Sequence, residues 1–185
     1  MAKKAILTKS DFLEFNFAKE TAKSLIENQK TQSIGLFIAI GIYTGLRYSD
    51  IIDLTWKQLQ GDNFTIAEKK TKKVRTITIS NDLRAIISKG VQQHENIFIS
   101  QKNALYSVQS INRILKTIFK NQLQTKNIST HTMRKTFGRR VWEINNKSED
   151  GLIMLMDLFN HSSLKITKEY LGITAEDRAL VYLSL

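Results

Sequence analysis

HTMRKTFGRR, residues 131–140, is a basic stretch with no acidic residue, and a histidine and an arginine stand three apart at its start. Thr130, just ahead of it, can cap a helix that begins at His131. Wound as a helix, the stretch and its continuation place Met133, Phe137, Val141 and Ile144 on one apolar face. His131 and Arg134 then share the first turn on a neighbouring face. An imidazole and a guanidinium at the positive end of a helix dipole make a good holder for a phosphate. An HxxR pair alone is more commonly a surface pair with no role, so its surroundings have to decide.

Working outward from this helix, residues 9–29 read as another, with Ser10 as a candidate N-cap and Phe12, Phe15, Leu25 and Ile26 apolar. SIGLFIAIGIYTG (33–45) is apolar nearly all round and reads as a buried helix that Gly45 ends. A short helix capped by Ser49 follows, running through Asp53. The period then changes. NFTIAE (63–68) and VRTITIS (74–80) alternate and are rich in β-branched residues, with KKTKK between them, which predicts a hairpin with a wide basic connection. A further short strand is expected at NIFIS (96–100). From Ser107 on the pattern is helical, over 107–124, 130–145, 149–158 and 175–183, with a short turn near 163–170. The fold class is α+β and mainly α, with a small antiparallel hairpin or sheet.

The chain has 185 residues, 42% of them hydrophobic, enough for one well-cored domain or two small ones. It has no apolar run long enough to span a membrane, and the apolar run of its basic start is too short for a signal peptide. With no cysteine, disulfides and thiolate metal sites are excluded, and a cytoplasmic location is the expectation. Three histidines and no HExxH offer no metal site, and no cofactor is expected. The net charge of +11 is concentrated: residues 69–84 and 120–147 together carry all of it. Such clustering fits a polyanion partner, and it also fits two solvated basic faces.

The HxxR pair gains weight from other short stretches. TGLRYSD (44–50) sets Arg47 in a tight turn after Gly45, where it can point into a cleft or merely cap a helix. HSSLKITKEYLG (161–172) places His161 nine residues before Tyr170. Arg47 in TGLRYSD, a lysine in KKTKKVR, HTMR, HSS and Tyr170 occur in this order, and the set resembles the tyrosine recombinase (phage integrase) family. The likeness runs from about residue 30 to about residue 175, essentially that family's catalytic domain. In two respects the chain departs from the pattern. Phe159-Asn160 stands where Leu-Gly usually precedes the histidine; asparagine tolerates the left-handed conformation that glycine supplies, so little effect is expected. The residues ahead of the likeness are too few for the family's N-terminal core-binding domain, so a single catalytic domain over residues 1–185 is expected.

The resemblance implies a site-specific recombinase or integrase that cuts and rejoins double-stranded DNA through a 3′-phosphotyrosyl intermediate, by metal-independent phosphoryl transfer. It implies Tyr170 as nucleophile and Arg47 and Arg134 as clamps on the non-bridging oxygens. A hairpin lysine would be the general acid for the leaving 5′-oxygen; Lys70 fits the pattern best, with Lys69, Lys72 and Lys73 as the other candidates. His131 would accept the tyrosine proton or bond the phosphate, and His161 would bond a non-bridging oxygen. Lys69, Lys72, Lys73, Lys126, Lys135, Arg139, Arg140 and Lys147 are expected to meet DNA phosphates without reading sequence. His94 lies outside every motif and is expected at the surface. The apolar tail, residues 173–185, would dock on its own domain or on a neighbouring protomer of a tetramer assembled on DNA. Two other readings stay open: a non-catalytic DNA-binding module of the same fold, and a nicking-closing enzyme of the type IB topoisomerase kind.

Overall fold

The computed structural model describes residues 9–100, 103–122, 126–173 and 182–183. Among them are eight α-helices and a two-stranded antiparallel sheet. Helix α1 (Phe15–Ile26) packs on α2 (Gln32–Thr44), which is buried on almost every side, as its all-round apolar sequence requires. The left-handed Gly45 (φ 63°) ends α2, and α3 (Tyr48–Ile51) follows at once. The hairpin of β1 (Asn63–Ala67) and β2 (Val74–Thr78) pairs Phe64 with Ile77. After it come α4 (Asn81–Ile87), α5 (Val108–Ile118), α6 (Thr130–Ile144), α7 (Glu149–Phe159) and α8 (Leu164–Leu171).

Several expectations are revised. Helix α1 starts at Phe15, not near residue 9: the Ser10 hydroxyl bonds Ser129, and the Glu14 carboxylate caps the helix through Asn16 N and Phe17 N. Residues 9–13 instead lie along the 127–129 loop and α6, with Asp11 N donating to Asn127 O (2.9 Å) and Leu13 N to Thr136 Oγ1 (3.0 Å). Ser129, not Thr130, caps α6, in a reciprocal box with Thr132. Ile144 ends that helix exposed, so its apolar face stops at Val141. NIFIS forms no strand. It makes only isolated bridges, Thr55 with Asn96 and Ile99 with Leu105, while Ile97 and Phe98 plug the core. The expected turn at 163–170 is a full helix, α8, capped by Ser163 and closed by the left-handed Gly172. Helix α4 was not anticipated, although Ser80 caps it and Leu83, Ile86 and Ile87 are buried at helical spacing. The helix expected over 175–183 lies outside the described residues except for Tyr182 and Leu183, which are helical and exposed.

The buried side chains form two clusters. The larger spans α1 to α5 and ends at Met133 of α6; the smaller gathers Trp142, Leu152, Leu155, Phe159, Leu171 and Ile173. Helix α6 serves both, and the seam between them runs past its N-terminal half. Two glycines allow the close fit there. A Cβ on Gly138 would lie 2.6 Å from Leu171 and 3.0 Å from Phe159, so α6 can approach α7 and α8 only with glycine at this point. A Cβ on Gly45 would lie 2.4 Å from the Phe137 ring and would also burden a positive φ. Gly45→Ala is therefore expected to cost about 2 kcal/mol or more. By differential scanning calorimetry the midpoint should fall roughly 4–8 °C.

Candidate active site

The seam brings together residues that lie far apart in sequence. Arg47 follows the Gly45 turn and Arg134 lies one turn into α6. Each donates to the carbonyl of Phe159, the last residue of α7, at 3.3 Å. Arg134 also donates to the Gly45 carbonyl, and Arg75 reaches Thr44 O (3.2 Å) and Leu158 O (3.4 Å). The C-terminal carbonyls of α2 and α7, which helical geometry leaves unpaired, are thus the acceptors that hold three guanidinium groups. Glu68, at the end of β1, accepts from Arg47 at 2.8 Å and stands 3.6 Å from Arg75. Burial acts to raise the Glu68 pKa, but the bonds from Thr71 and Arg47 and the charges of Arg47 and Arg134 outweigh it, so the net shift is downward and the group is a carboxylate. Burial first, and Arg47 next, pull the Arg134 pKa down to about 10, which still leaves it cationic near neutral pH.

The Phe159 ring is the floor of the site. The Arg134 guanidinium lies 4.2 Å above it, and the His161 and Tyr170 rings meet it edge-on at 5.5 and 5.4 Å. His161 and Tyr170 contact one another at 5.2 Å. Asn160 takes the left-handed conformation (φ 52°) expected of it, and the chain turns there to carry His161 into the site. His161 Nδ1 lies 3.1 Å from the hydroxyl of the buried Thr167. Tyr170 sits on α8 with its hydroxyl buried beside the Arg134 guanidinium but in no well-formed hydrogen bond, whereas the Tyr43 and Tyr48 hydroxyls are bound to Asp82 and to Tyr106 O. Burial raises the Tyr170 pKa, and the charges of Arg134 and Arg47 offset only part of this, so the phenol is protonated at rest. His131 keeps an exposed edge at the mouth, beside a cavity of about 290 Å³ that Lys9, Ser10, Lys135, Ile166, Glu169 and Tyr170 also line. Lost solvation, followed by the charges of Arg134 and Arg47, lowers the pKa of both His131 and His161.

The hairpin lysines separate by position. Lys69 pairs with Asp53, Lys73 bonds Asn160 Oδ1, and Lys72 takes a left-handed φ of 60°. Lys70 is the one of the four whose charge registers at both His131 and His161. The other basic residues divide. Arg140 and Lys147 are exposed. Lys135 and Arg139, expected on a DNA-facing surface, are buried instead. Lys135 lies over the Tyr170 ring, and Arg139 lies between the Phe12 and Trp142 rings. Lys126 is half-buried and donates to Phe12 O. His94 is exposed, as expected. Sequence reading missed Glu68, Thr167 and Asp50, whose Oδ1 accepts from Lys69 N. For Glu68 a signal existed: it is the lone acid at the head of the basic run that ends at Arg75. Among the described residues no group of three or more His, Cys, Asp or Glu could hold a metal, and no helix is long and apolar enough to cross a membrane.

Comparison with known proteins accords with this geometry. The model of the phage integrase family matches residues 15–177, which brings α1 into the domain. "Probable integrase/recombinase YoeC" of Bacillus subtilis (strain 168) is 32% identical over 169 residues, 88% of this chain and 90% of that protein. The integrase of Haemophilus phage HP1 (strain HP1c1) is 26% identical over 161 residues, 85% of this chain and 43% of that protein. In structure, the catalytic domain of bacteriophage HP1 integrase superposes with a TM-score of 0.56 at 20% identity over 89% of each chain. The XerH site-specific recombinase, in a post-cleavage complex with its palindromic difH substrate, gives 0.65 at 18% identity over 92% of this chain and 51% of its own. A family match over most of the chain, on a fold that brings the same short stretches together, makes this protein a member of the phage integrase family, the catalytic domain of an enzyme of the tyrosine recombinase class, which breaks and rejoins DNA.

Proposed function

We propose that the domain cuts one strand of double-stranded DNA at a specific site, holds it as a 3′-phosphotyrosyl link and rejoins it to a new partner. The observation that carries this reading is the convergence of Arg47 and Arg134 on one carbonyl beside the buried Tyr170 hydroxyl. Their anchoring bonds leave further N–H groups of each guanidinium to clamp the non-bridging oxygens of a phosphate. The Tyr170 oxygen attacks phosphorus, and the bond from phosphorus to the 5′-oxygen breaks. His131, neutral because its pKa is lowered, accepts the phenol proton. Lys70 supplies a proton to the departing 5′-oxygen, so a free 5′-hydroxyl leaves. His161, held through Nδ1 by Thr167, uses Nε2 on a non-bridging oxygen. The bond energy stays in the phosphotyrosyl ester, so rejoining requires no nucleotide.

The exposed cations Lys69, Lys72, Lys73, Arg140 and Lys147 suit contact with the DNA backbone. Lys126, Lys135 and Arg139 contribute instead by seating residues 9–13 and the Tyr170 ring. Exposed apolar side chains on α7, Ile153 and Met154, support self-association on DNA, which we infer to be tetrameric.

A nicked suicide substrate from the flanks of the protein's own gene tests the reading. Peptide mapping of the covalent adduct should place DNA on Tyr170, and Tyr170→Phe should abolish the adduct while DNA affinity stays within a few fold. An adduct on Tyr48 or Tyr106 would overturn the assignment. Protein side chains fill every role in the scheme, so cleavage should persist in excess EDTA; loss that Mg²⁺ restores would contradict it. In the DNA-free protein, NMR titration should show His131 and His161 protonating below the ordinary value of 6.5. Both rings would then be neutral near neutral pH, and the acid-side loss of activity should begin below that value.

A further inference from the structure

We infer that Glu68 is the positioning residue that fixes the turn bearing Lys70 against Arg47. The inference rests on the proposed role of Lys70 and adds to it a means of placing that side chain. Lys70 is exposed and lies on a loop, so something has to hold it near the phosphate. The loop begins and ends at Glu68. Glu68 N donates to Lys73 O (2.9 Å), and Lys72 N donates to Glu68 O (2.8 Å). The Glu68 side chain, 5% exposed, faces inward, and its Oε2 accepts from both Arg47 Nη1 and Thr71 Oγ1 at 2.8 Å. Arg75, on the returning strand, approaches Oε1. One carboxylate oxygen therefore joins the residue that follows Lys70 to the arginine proposed to clamp the phosphate. On the other side of Lys70, Lys69 N is tied to Asp50 Oδ1 (2.9 Å). Lys70 is bracketed, and the wider bracket is Glu68.

Electrostatics favour the same reading. A carboxylate in a phosphate-binding site opposes the incoming charge and loses its own hydration. Placed behind Arg47 and Arg75 it is shielded by both, and it lets two guanidinium groups and the loop share one anchor. Asparagine at position 160 adds a second tie that glycine could not make, from Lys73 Nζ to Oδ1, on the far side of the same loop.

The test uses single-turnover cleavage of two substrates, one all-oxygen and one with sulfur at the bridging 5′ position. Sulfur leaves without a proton, so it separates loss of general acid catalysis from loss of phosphate clamping. Glu68→Gln keeps the size of the side chain and removes its charge. Thr71→Val cuts the loop tie to Glu68, together with the long bond from Lys73 N to the same hydroxyl (3.4 Å), and leaves the Arg47 pair in place. Both should slow cleavage of the all-oxygen DNA, Glu68→Gln by roughly ten- to a hundred-fold, the scale on which misplacing a group by about 1 Å acts. Both should recover most of their rate on the sulfur substrate, as Lys70→Ala should. Wild-type rates for both variants, or a defect that sulfur leaves unchanged while Lys70→Ala is rescued, would overturn the inference and leave the role of Lys70 standing. Lack of rescue of Lys70→Ala itself would bring down the general-acid role and this inference with it.

Discussion

The carbonyl of Phe159 accepts from two arginines at once, and the rest of the site is arranged around that fact. Three guanidinium groups packed into one seam repel each other, and burial strips them of water. The fold meets this cost with two helix ends. Helices α2 and α7 both stop in the seam, and the carbonyls of Thr44, Gly45, Leu158 and Phe159 carry the negative ends of their dipoles. Glu68 adds a full negative charge on the far side. The termination signals are therefore part of the chemistry: left-handed Gly45 and Asn160 end the helices where the arginines need acceptors.

Because the arginines are held from behind, their remaining donors are oriented before any substrate arrives, which is the condition under which fixed charges act most strongly on a transition state. The same packing sets the proton inventory. Burial keeps the Tyr170 phenol protonated, and lost solvation with nearby cations keeps both histidines neutral. For the proposed reaction, a protonated phenol and a neutral imidazole in one site are the pairing that general base catalysis needs. The aromatic floor of Phe159 ties Arg134, His161 and Tyr170 to one rigid ring, so a shift of α7 would move all three.

Much of this could be read from the sequence. The buried α2, the hairpin, α6 and α7 follow from period and apolar pattern, and Arg47, Arg134, His161 and Tyr170 follow from short stretches whose order resembles one family. Tertiary partners account for most of what could not be read. Ser10 has the chemistry of a cap for α1, but its hydroxyl is taken by Ser129 and the helix starts four residues later at the carboxylate of Glu14. NIFIS has the composition of a strand, but among the described residues it meets other backbone only at isolated bridges, to Thr55 and Leu105. Lys135 and Arg139 look like surface cations, yet the Tyr170 and Phe12 rings, from distant segments, cover them. Glu68 escaped notice because an acid in a basic loop reads as solvated charge, and its worth depends on arginines that only the fold brings to it.

The central claim is that Arg47 and Arg134, anchored by helix carbonyls, neutralise the charge of the scissile phosphate. It is tested most directly by single-turnover cleavage of a substrate whose scissile phosphate is replaced by an uncharged methylphosphonate. Arg47→Ala should lose roughly 10²–10³ fold on the phosphate and far less on the methylphosphonate, whose ground state is neutral and whose transition state carries one negative charge fewer. Equal losses on the two substrates would show that Arg47 only supports the fold, and would contradict the account.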